Sequence, residues 1–268
     1  MLTFIDILPV PRGFRMKRKA KRGKIPPRQT IHKIRNKNFR VIKIVDGSNG
    51  IVNTQISSLI NPGDTIILQN TGRHFDIDSD NDGCLLELSA RQLVNFTVVL
   101  MKSVSRNKRF RILLIDRKGR CMGAAAELIP YCDVTIFTDN PEKYDMCIDY
   151  TRLKYGAEPI AVSNTSHIGH VDFALAPYGL ENVTIPNSST PLFSSLSSDK
   201  GYYICKELLN IPNDISKATP DGFSPEIFAA ATFCEYEFEE FFYLCPQGLN
   251  FKNNFVKLSE IEDHILNC

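Results

Sequence analysis

No stretch of this 268-residue chain approaches the ~20 consecutive apolar residues that span a bilayer, so a transmembrane helix is not expected. The longest apolar runs, Phe96 to Met101 and Ile227 to Cys234, have the length of core segments. Eight cysteines are present, but none forms a C-x-x-C pair, and they scatter through apolar segments. That spacing favours reduced, buried thiols in a cytoplasm over a disulfide framework. A G-x-S-x-G elbow, a Walker loop and an H-E-x-x-H helix are all missing, and with them the chemistries they carry. The first residues carry Asp6 and Pro9 ahead of the basic residues, so they do not read as a signal peptide. Between Arg12 and Lys43 there is no acid at all.

That last absence organises the charge. Fourteen Lys and Arg lie between Arg12 and Lys43, while outside the window 18 basic residues face 30 acidic ones. The net charge of +2 therefore hides an acidic body with a basic N-terminal arm. Such an arm can bind nucleic acid by neutralising phosphates, or pair with the acidic body of its own chain or of a partner subunit. Within the window only Phe14 and Phe39 are aromatic, so no base-stacking platform is visible. Pro9, Pro11, Gly13 and Pro26-Pro27 punctuate residues 1–38, which read as an arm that is mobile from Arg15 to about Thr30.

The 43% apolar content of the chain and its element pattern predict an α/β fold. Phe39–Val45 alternates as a half-exposed strand, Ile51–Ile60 fits helix or strand, and Thr65–Asn70 is a second strand. After Ser89, a plausible N-cap, Leu93, Phe96, Leu100 and Val104 repeat at helical spacing. The polar connector Ser105–Lys108 suggests a boundary. The expected organisation is therefore an arm (1–38), a small α/β domain (39–105), a Rossmann-like parallel-sheet domain (106–222) and C-terminal helices packing back on the body (223–268).

The stretch from Arg109 to Gly156 is the most informative. Phe110–Ile115 is a short buried-strand run, Ala124–Pro130 begins a helix with a small-residue face, and Val134–Thr138 is a second strand ending in Asp139. This outlines the first βαβ of a dinucleotide-binding fold, with an acid about 20 residues past the turn to accept from ribose hydroxyls. Gly119 suits the close approach of a pyrophosphate, and Gly123 suits close helix–strand packing. The first glycine is missing: Asp116 or Arg117 stands there. Arg117, Lys118 and Arg120 can offset the aspartate's charge against a diphosphate. The predicted cofactor contacts are Arg117, Gly119, Arg120, Gly123 and Asp139, with Asp139 favouring NAD over NADP. Asn140-Pro141 opens a helix over 141–155 that Gly156 stops, and strands are expected at Pro159–Ser163, Phe173–Ala176 and Asn182–Pro186. Ser224-Pro225-Glu226 caps another helix, and Leu258–Leu266 is amphipathic.

On Ile115, Gly119, Gly123, Ala124, Asp139 and the helix opened by Asn140-Pro141, residues 110–235 resemble the nucleotide-binding domain of the shikimate-dehydrogenase and glutamyl-tRNA-reductase type. The layout is also similar to that of uncharacterised bacterial proteins with a degenerate Rossmann domain. The resemblance implies a small N-terminal α/β domain, a Rossmann domain and returning C-terminal helices, with an NAD-type cofactor and oxidoreductase chemistry. It carries over no catalytic residue. The lysine–aspartate pair of the first family has no recognisable match, and no cysteine precedes Cys84 to serve as the nucleophile of the second. A non-enzymatic Rossmann-like scaffold, with the basic arm contacting nucleic acid or a protein, is the other reading.

Two further clusters invite metals. Asp78–Gly83 matches positions 1, 3, 5 and 6 of an EF-hand loop, but Ser89 stands at position 12, so an acidic turn is expected. His167 and His170 stand near Asp172, too few ligands for zinc without Cys132 or Asp133. In a Rossmann fold this segment is expected near the ligand edge, with His170 as a proton-transfer group.

Overall fold

The computed structural model describes residues 1–10, 12–69, 79–106, 108–180, 183, 185, 190–197 and 201–266. The chain begins with β1 (Thr3–Leu8), α1 (Phe14–Lys21), β2 (Arg28–Ile34), β3 (Lys37–Val45), α2 (Asn49–Ser57), β4 (Ile66–Leu68) and α3 (Asn81–Val104). Then come β5 (Phe110–Ile115), α4 (Met122–Leu128), β6 (Cys132–Phe137), α5 (Asp145–Tyr155), β7 (Ile160–Val162), β8 (Phe173–Ala176), β9 (Leu192–Ser194) and β10 (Tyr202–Tyr203). Last are α6 (Asn213–Lys217), α7 (Pro225–Tyr236), β11 (Gly248–Phe251), β12 (Asn254–Lys257) and α8 (Leu258–Leu266). Two compact units result, Met1–Leu85 with Ile211–Phe241, and Leu86–Asn210 with Phe242–Cys268.

The first unit has a four-stranded sheet in the order β2-β3-β1-β4, parallel except for the edge hairpin β2–β3. Ile5, Ile7, Ile42 and Ile44 alternate onto one face and pack on Val52 and Ile56 of α2. On the other strand face Phe4 meets Phe39, Phe223 and Phe228 at ring separations of 5.1–5.8 Å. That aromatic contact explains why residues 211–241 belong here: α7 supplies Phe228, and Thr65 donates to Glu235 at 2.6 Å. The expected arm of 1–38 is thus corrected. Its start is the strand at the centre of a sheet, and the basic stretch folds as α1 and β2, the latter paired with β3 over seven residues. Proline and charge density mimic disorder in sequence, whereas a strand bonded along its length to β3 needs no apolar face of its own.

Arg40, 4% exposed, is anchored beneath this sheet: Nη2 meets Asp64 Oδ2 at 2.5 Å, Nη1 donates to Leu59 O at 2.8 Å and Nε to Thr3 Oγ1 at 3.2 Å.

The second unit contains an eight-stranded sheet ordered β12-β11-β10-β9-β8-β5-β6-β7. Its pairs are parallel from β7 through β10, and an antiparallel hairpin, β11–β12, extends one edge. Numbered along the chain, the six parallel strands stand as 3-2-1-4-5-6, the order of a Rossmann sheet. The fold is therefore α/β with a Rossmann-like unit, as the sequence predicts. The hairpin turn places Lys252 and Asn253 at φ 48° and 63°, the left-handed pair that tight hairpins require.

Helix α3 begins at Asn81, eight residues before the expected cap at Ser89, because Asn81 bonds both the amide (3.1 Å) and the carbonyl (2.6 Å) of Leu68. Asp78 lies outside the described residues, and the helical run from Asn81 leaves no EF-hand loop geometry for Asp82 onward. By length and composition α3 could cross a membrane, but 67% of its most apolar window is buried, as in a core helix. Its polar residues pin the second unit: Gln92 exchanges two hydrogen bonds with Asn210 (2.7 and 2.8 Å), and Asn95 donates to Leu244 O at 2.6 Å. The expected strand at Asn182–Pro186 lies largely outside the described residues; the fifth parallel strand is β9.

Asp64→Ala is expected to lower stability by about 3 kcal/mol, since it strands a buried guanidinium. The paired change Arg40→Met with Asp64→Leu should recover most of it in urea titrations. Burial works against the Asp64 carboxylate, but the Asn61 amide, the Met1 amino group and Arg40 together outweigh it and hold its pKa below the usual value. This stabilisation is present above a pH of about 4 and is lost as pH falls through the depressed pKa. The Asp64→Ala protein should therefore lose less stability than wild type between pH 5 and pH 2.

Candidate functional site

In a sheet of this order ligands meet the carboxyl ends of the strands where the order reverses, here between β5 and β8. The β5–α4 turn, residues 116–121, stands there. Gly119 holds φ at +69°, a left-handed value that lets the chain turn back within so few residues.

The turn is closed from inside by Asp116. Its carboxylate is 2% exposed, accepts from the Cys121 amide at 2.6 Å, and takes a short hydrogen bond from the Tyr144 hydroxyl. Cys121 is the cap residue of α4. The aspartate in the first glycine's place thus satisfies an amide at the helix entrance with the chain's own carboxylate. Burial and this hydrogen bond push the Tyr144 hydroxyl pKa far up, so it stays a donor. Burial, with the nearby Asp116 and Glu87 charges, likewise raises the Cys121 thiol well above its normal range, and burial raises Cys132 to about 12. Neither is a nucleophile at neutral pH.

Two hydrogen bonds latch the β5 and β6 ends. Arg117 O accepts from the Asp139 amide at 3.1 Å and from Thr138 Oγ1 at 3.3 Å. Asp139, half-exposed at the end of β6, is gripped by Arg117 through two contacts, Nε–Oδ1 at 3.0 Å and Nη2–Oδ2 at 2.9 Å. Lys143 lies over Gly119, where an added Cβ would come within 2.6 Å of its chain, and donates to Lys118 O at 2.8 Å. Arg120 turns to the other side of the crevice. Its guanidinium stacks 4.9 Å from the Tyr178 ring and pairs with Glu87 at 3.5 Å, while Tyr178 donates to Glu87 at 2.6 Å. Burial and that bond raise the Tyr178 pKa.

Of the predicted residues, Arg117, Gly119 and Asp139 therefore cluster on one side, and Arg120 joins Tyr178 and Glu87 across the switch point. Gly123 is corrected: it is exposed, and a Cβ there would meet nothing within 4 Å, so the helix needs no glycine to pack. Alanines perform that role, with Ala124 and Ala125 buried. Asp116 as a closing group, Lys143, Tyr178 and Glu87 were missed. An aspartate directly after a buried strand, and a tyrosine in the Ala176–Gly179 turn after another, were the available signals.

His167 and His170 do not stand at this edge. The connection after β7 crosses to the amino ends of the strands, where Asp172 accepts from the Arg111 amide at 2.8 Å. There His167, His170, Arg111, Asp133 and Glu158 line a cavity of about 440 Å³. Among the described residues no cluster of three His, Cys, Asp or Glu could hold a metal.

No family model and no curated protein matches the chain. Among solved structures it is similar to an L-tryptophan dehydrogenase from Nostoc punctiforme, at 13% identity and TM-score 0.30, over 99% of this chain and 80% of that one. A superposition that loose carries no argument; the Rossmann-like assignment rests on the strand order.

Replacing Asp116 by Ala leaves a buried amide and a buried hydroxyl without an acceptor and is expected to cost about 3 kcal/mol, against about 1 kcal/mol for Tyr144→Phe. A double-mutant cycle in urea should return a coupling of at least about 1 kcal/mol; strict additivity would show that the two groups do not act together.

Proposed function

We propose that the second unit binds a nucleotide of the NAD type at the carboxyl edge of β5 and β6, as an oxidoreductase-like protein of unassigned substrate. The observation that carries this reading is the 3-2-1-4-5-6 strand order with a carboxylate, Asp139, at the end of the second strand beside the β5–α4 turn. Asp139 accepts from the two ribose hydroxyls. Arg117, its present partner, swings to the diphosphate as the ribose arrives, so neither charge loses a counterpart. Arg120 faces the same crevice and adds a second cation. Gly119 gives the backbone its approach once Lys143 moves aside. When bound, the nicotinamide would supply hydride transfer; no residue here is assigned to the proton transfer that accompanies it.

Because Asp116 already satisfies the Cys121 amide, the diphosphate is held by arginine side chains more than by the helix entrance. That predicts modest affinity with marked salt dependence. A second reading takes the same observation further: with Asp116 inside the turn and Lys143 over Gly119, the domain has given up the cofactor and serves as a scaffold.

Isothermal titration with NAD and NADP separates the two. Micromolar binding of NAD in preference to NADP, weakened by about 1–3 kcal/mol in Asp139→Ala, is the expected result. No heat and no thermal shift with either nucleotide would leave the scaffold reading standing, and equal binding by the Asp139→Ala protein would remove Asp139 from the site.

A further inference from the structure

The fourteen cations between Arg12 and Lys43 are not an arm, and most are not used to hold the fold together. Three are committed inside the first unit: Arg35 to Asp214 and Glu240, Arg40 to Asp64, and Lys43 to Asp6 and Asp221. The other eleven are all exposed, and among the described residues none of them pairs with a carboxylate. Among the described residues, then, the chain's own carboxylates do not neutralise them.

Helix α1 concentrates the charge. Met16 and Ala20 turn inward, Ala20 fully packed where its carbonyl meets Gly47. Arg15, Arg18, Lys19 and Arg22 fall on the opposite side at the i, i+3, i+4, i+7 spacing of one helix face. Five of the eight helical residues are basic, about one cation per 2.4 Å of axis at a rise of ~1.5 Å per residue. One strand of B-form DNA carries a phosphate charge per ~3.4 Å of helix axis, so the two densities are of the same order. No acid stands in the first turn, and like charges four apart repel by ~0.2–0.5 kcal/mol each, a cost that a bound polyanion would relieve. Next in the chain, β2 is the open edge of its sheet and carries Arg28 and Lys33 outward. Guarding an edge against self-pairing accounts for the charges of β2 but not for those of α1, which has no edge to guard.

The occupant follows from what the helix lacks. A membrane-surface helix inserts a continuous apolar face. Here Ala20 and Met16 face the protein and only Phe14, 84% exposed, remains. One exposed ring among cations suits the stacking of a single base. We propose that α1 and the β2 edge form a binding surface for the phosphodiester backbone of single-stranded nucleic acid, independent of whether the second unit holds a nucleotide.

Fluorescence anisotropy of the full chain with labelled ~20-nucleotide RNA, the matching DNA and its duplex, from about 50 to 400 mM salt, tests this. Saturable binding is expected, with log Kd changing against log salt at a slope of about 3–4, the value for about five neutralised phosphates at ~0.7 each. Arg15→Gln, Arg18→Gln, Lys19→Gln and Arg22→Gln combined should weaken binding more than tenfold and lower the slope by about one per lost contact. Phe14→Ala should weaken the single strands several-fold and the duplex little. Lys154→Gln, an exposed cation of the second unit, should change nothing, and thermal melts of each variant check folding. A preference between RNA and DNA would name the source of the backbone. Absence of binding at low salt, a slope near zero, unchanged affinity in the combined variant, or capture by phosphatidylserine vesicles in place of nucleic acid would overturn the proposal.

Discussion

A carboxylate buried at the end of the first parallel strand decides how the second unit is built. Asp116 continues β5, its amide bonding Phe137 O at 2.9 Å, and then turns its side chain back to the entrance of α4. A buried carboxylate persists only with hydrogen-bond donors in reach, and the Cys121 amide and Tyr144 hydroxyl both donate to its Oδ2. Through Tyr144 the same carboxylate fixes the segment leading into α5, so the first two crossovers of the sheet are tied to one side chain. The turn is ordered without a ligand, and the amide that a diphosphate would use in a glycine-rich turn is already engaged.

That arrangement sets the electrostatics of the crevice. Three of the cations near it have partners: Arg117 with Asp139, Arg120 with Glu87 and the Tyr178 ring, Lys143 with a carbonyl. These pairs are largely exposed and each is worth little in stability, so they can be exchanged at small cost. A nucleotide, bound there as proposed, would therefore compete with local side chains rather than with the fold. The first unit shows the opposite balance. There a deeply buried ion pair, Arg40 with Asp64, holds the sheet, while among the described residues no carboxylate pairs with the cations of α1.

Much of the second unit was legible along the chain because its strands are buried on both faces and read as short apolar runs: Phe110–Ile115 and Phe173–Ala176 appear at those residues. The helix after Asn140-Pro141 begins as a 3-10 turn over Pro141–Tyr144 and runs on to Gly156, whose φ of +66° supplies the left-handed stop. Failures have a common cause. The basic segment is exposed on both faces, so β2 shows no alternation, and only its register with β3 makes it a strand. Helix α3 starts early because Asn81 finds a strand to bond, which no local pattern announces. Gly123 was given a packing role that its neighbours, Ala124 and Ala125, perform.

Sequence alone determined the class of fold, the βαβ unit with its acid at Asp139, and the separation of a basic segment from an acidic body. Each follows from periodicity, capping chemistry and charge, which are local. Tertiary structure decided which charges are spent. It set Asp116 inside the turn, joined Arg117 to Asp139, carried His167 and His170 to the opposite edge of the sheet, and left the face of α1 with no carboxylate among the described residues. Hydrogen bonds and ion pairs of that kind join residues many positions apart, and only the folded chain fixes which of the many possible partners are within a few ångströms.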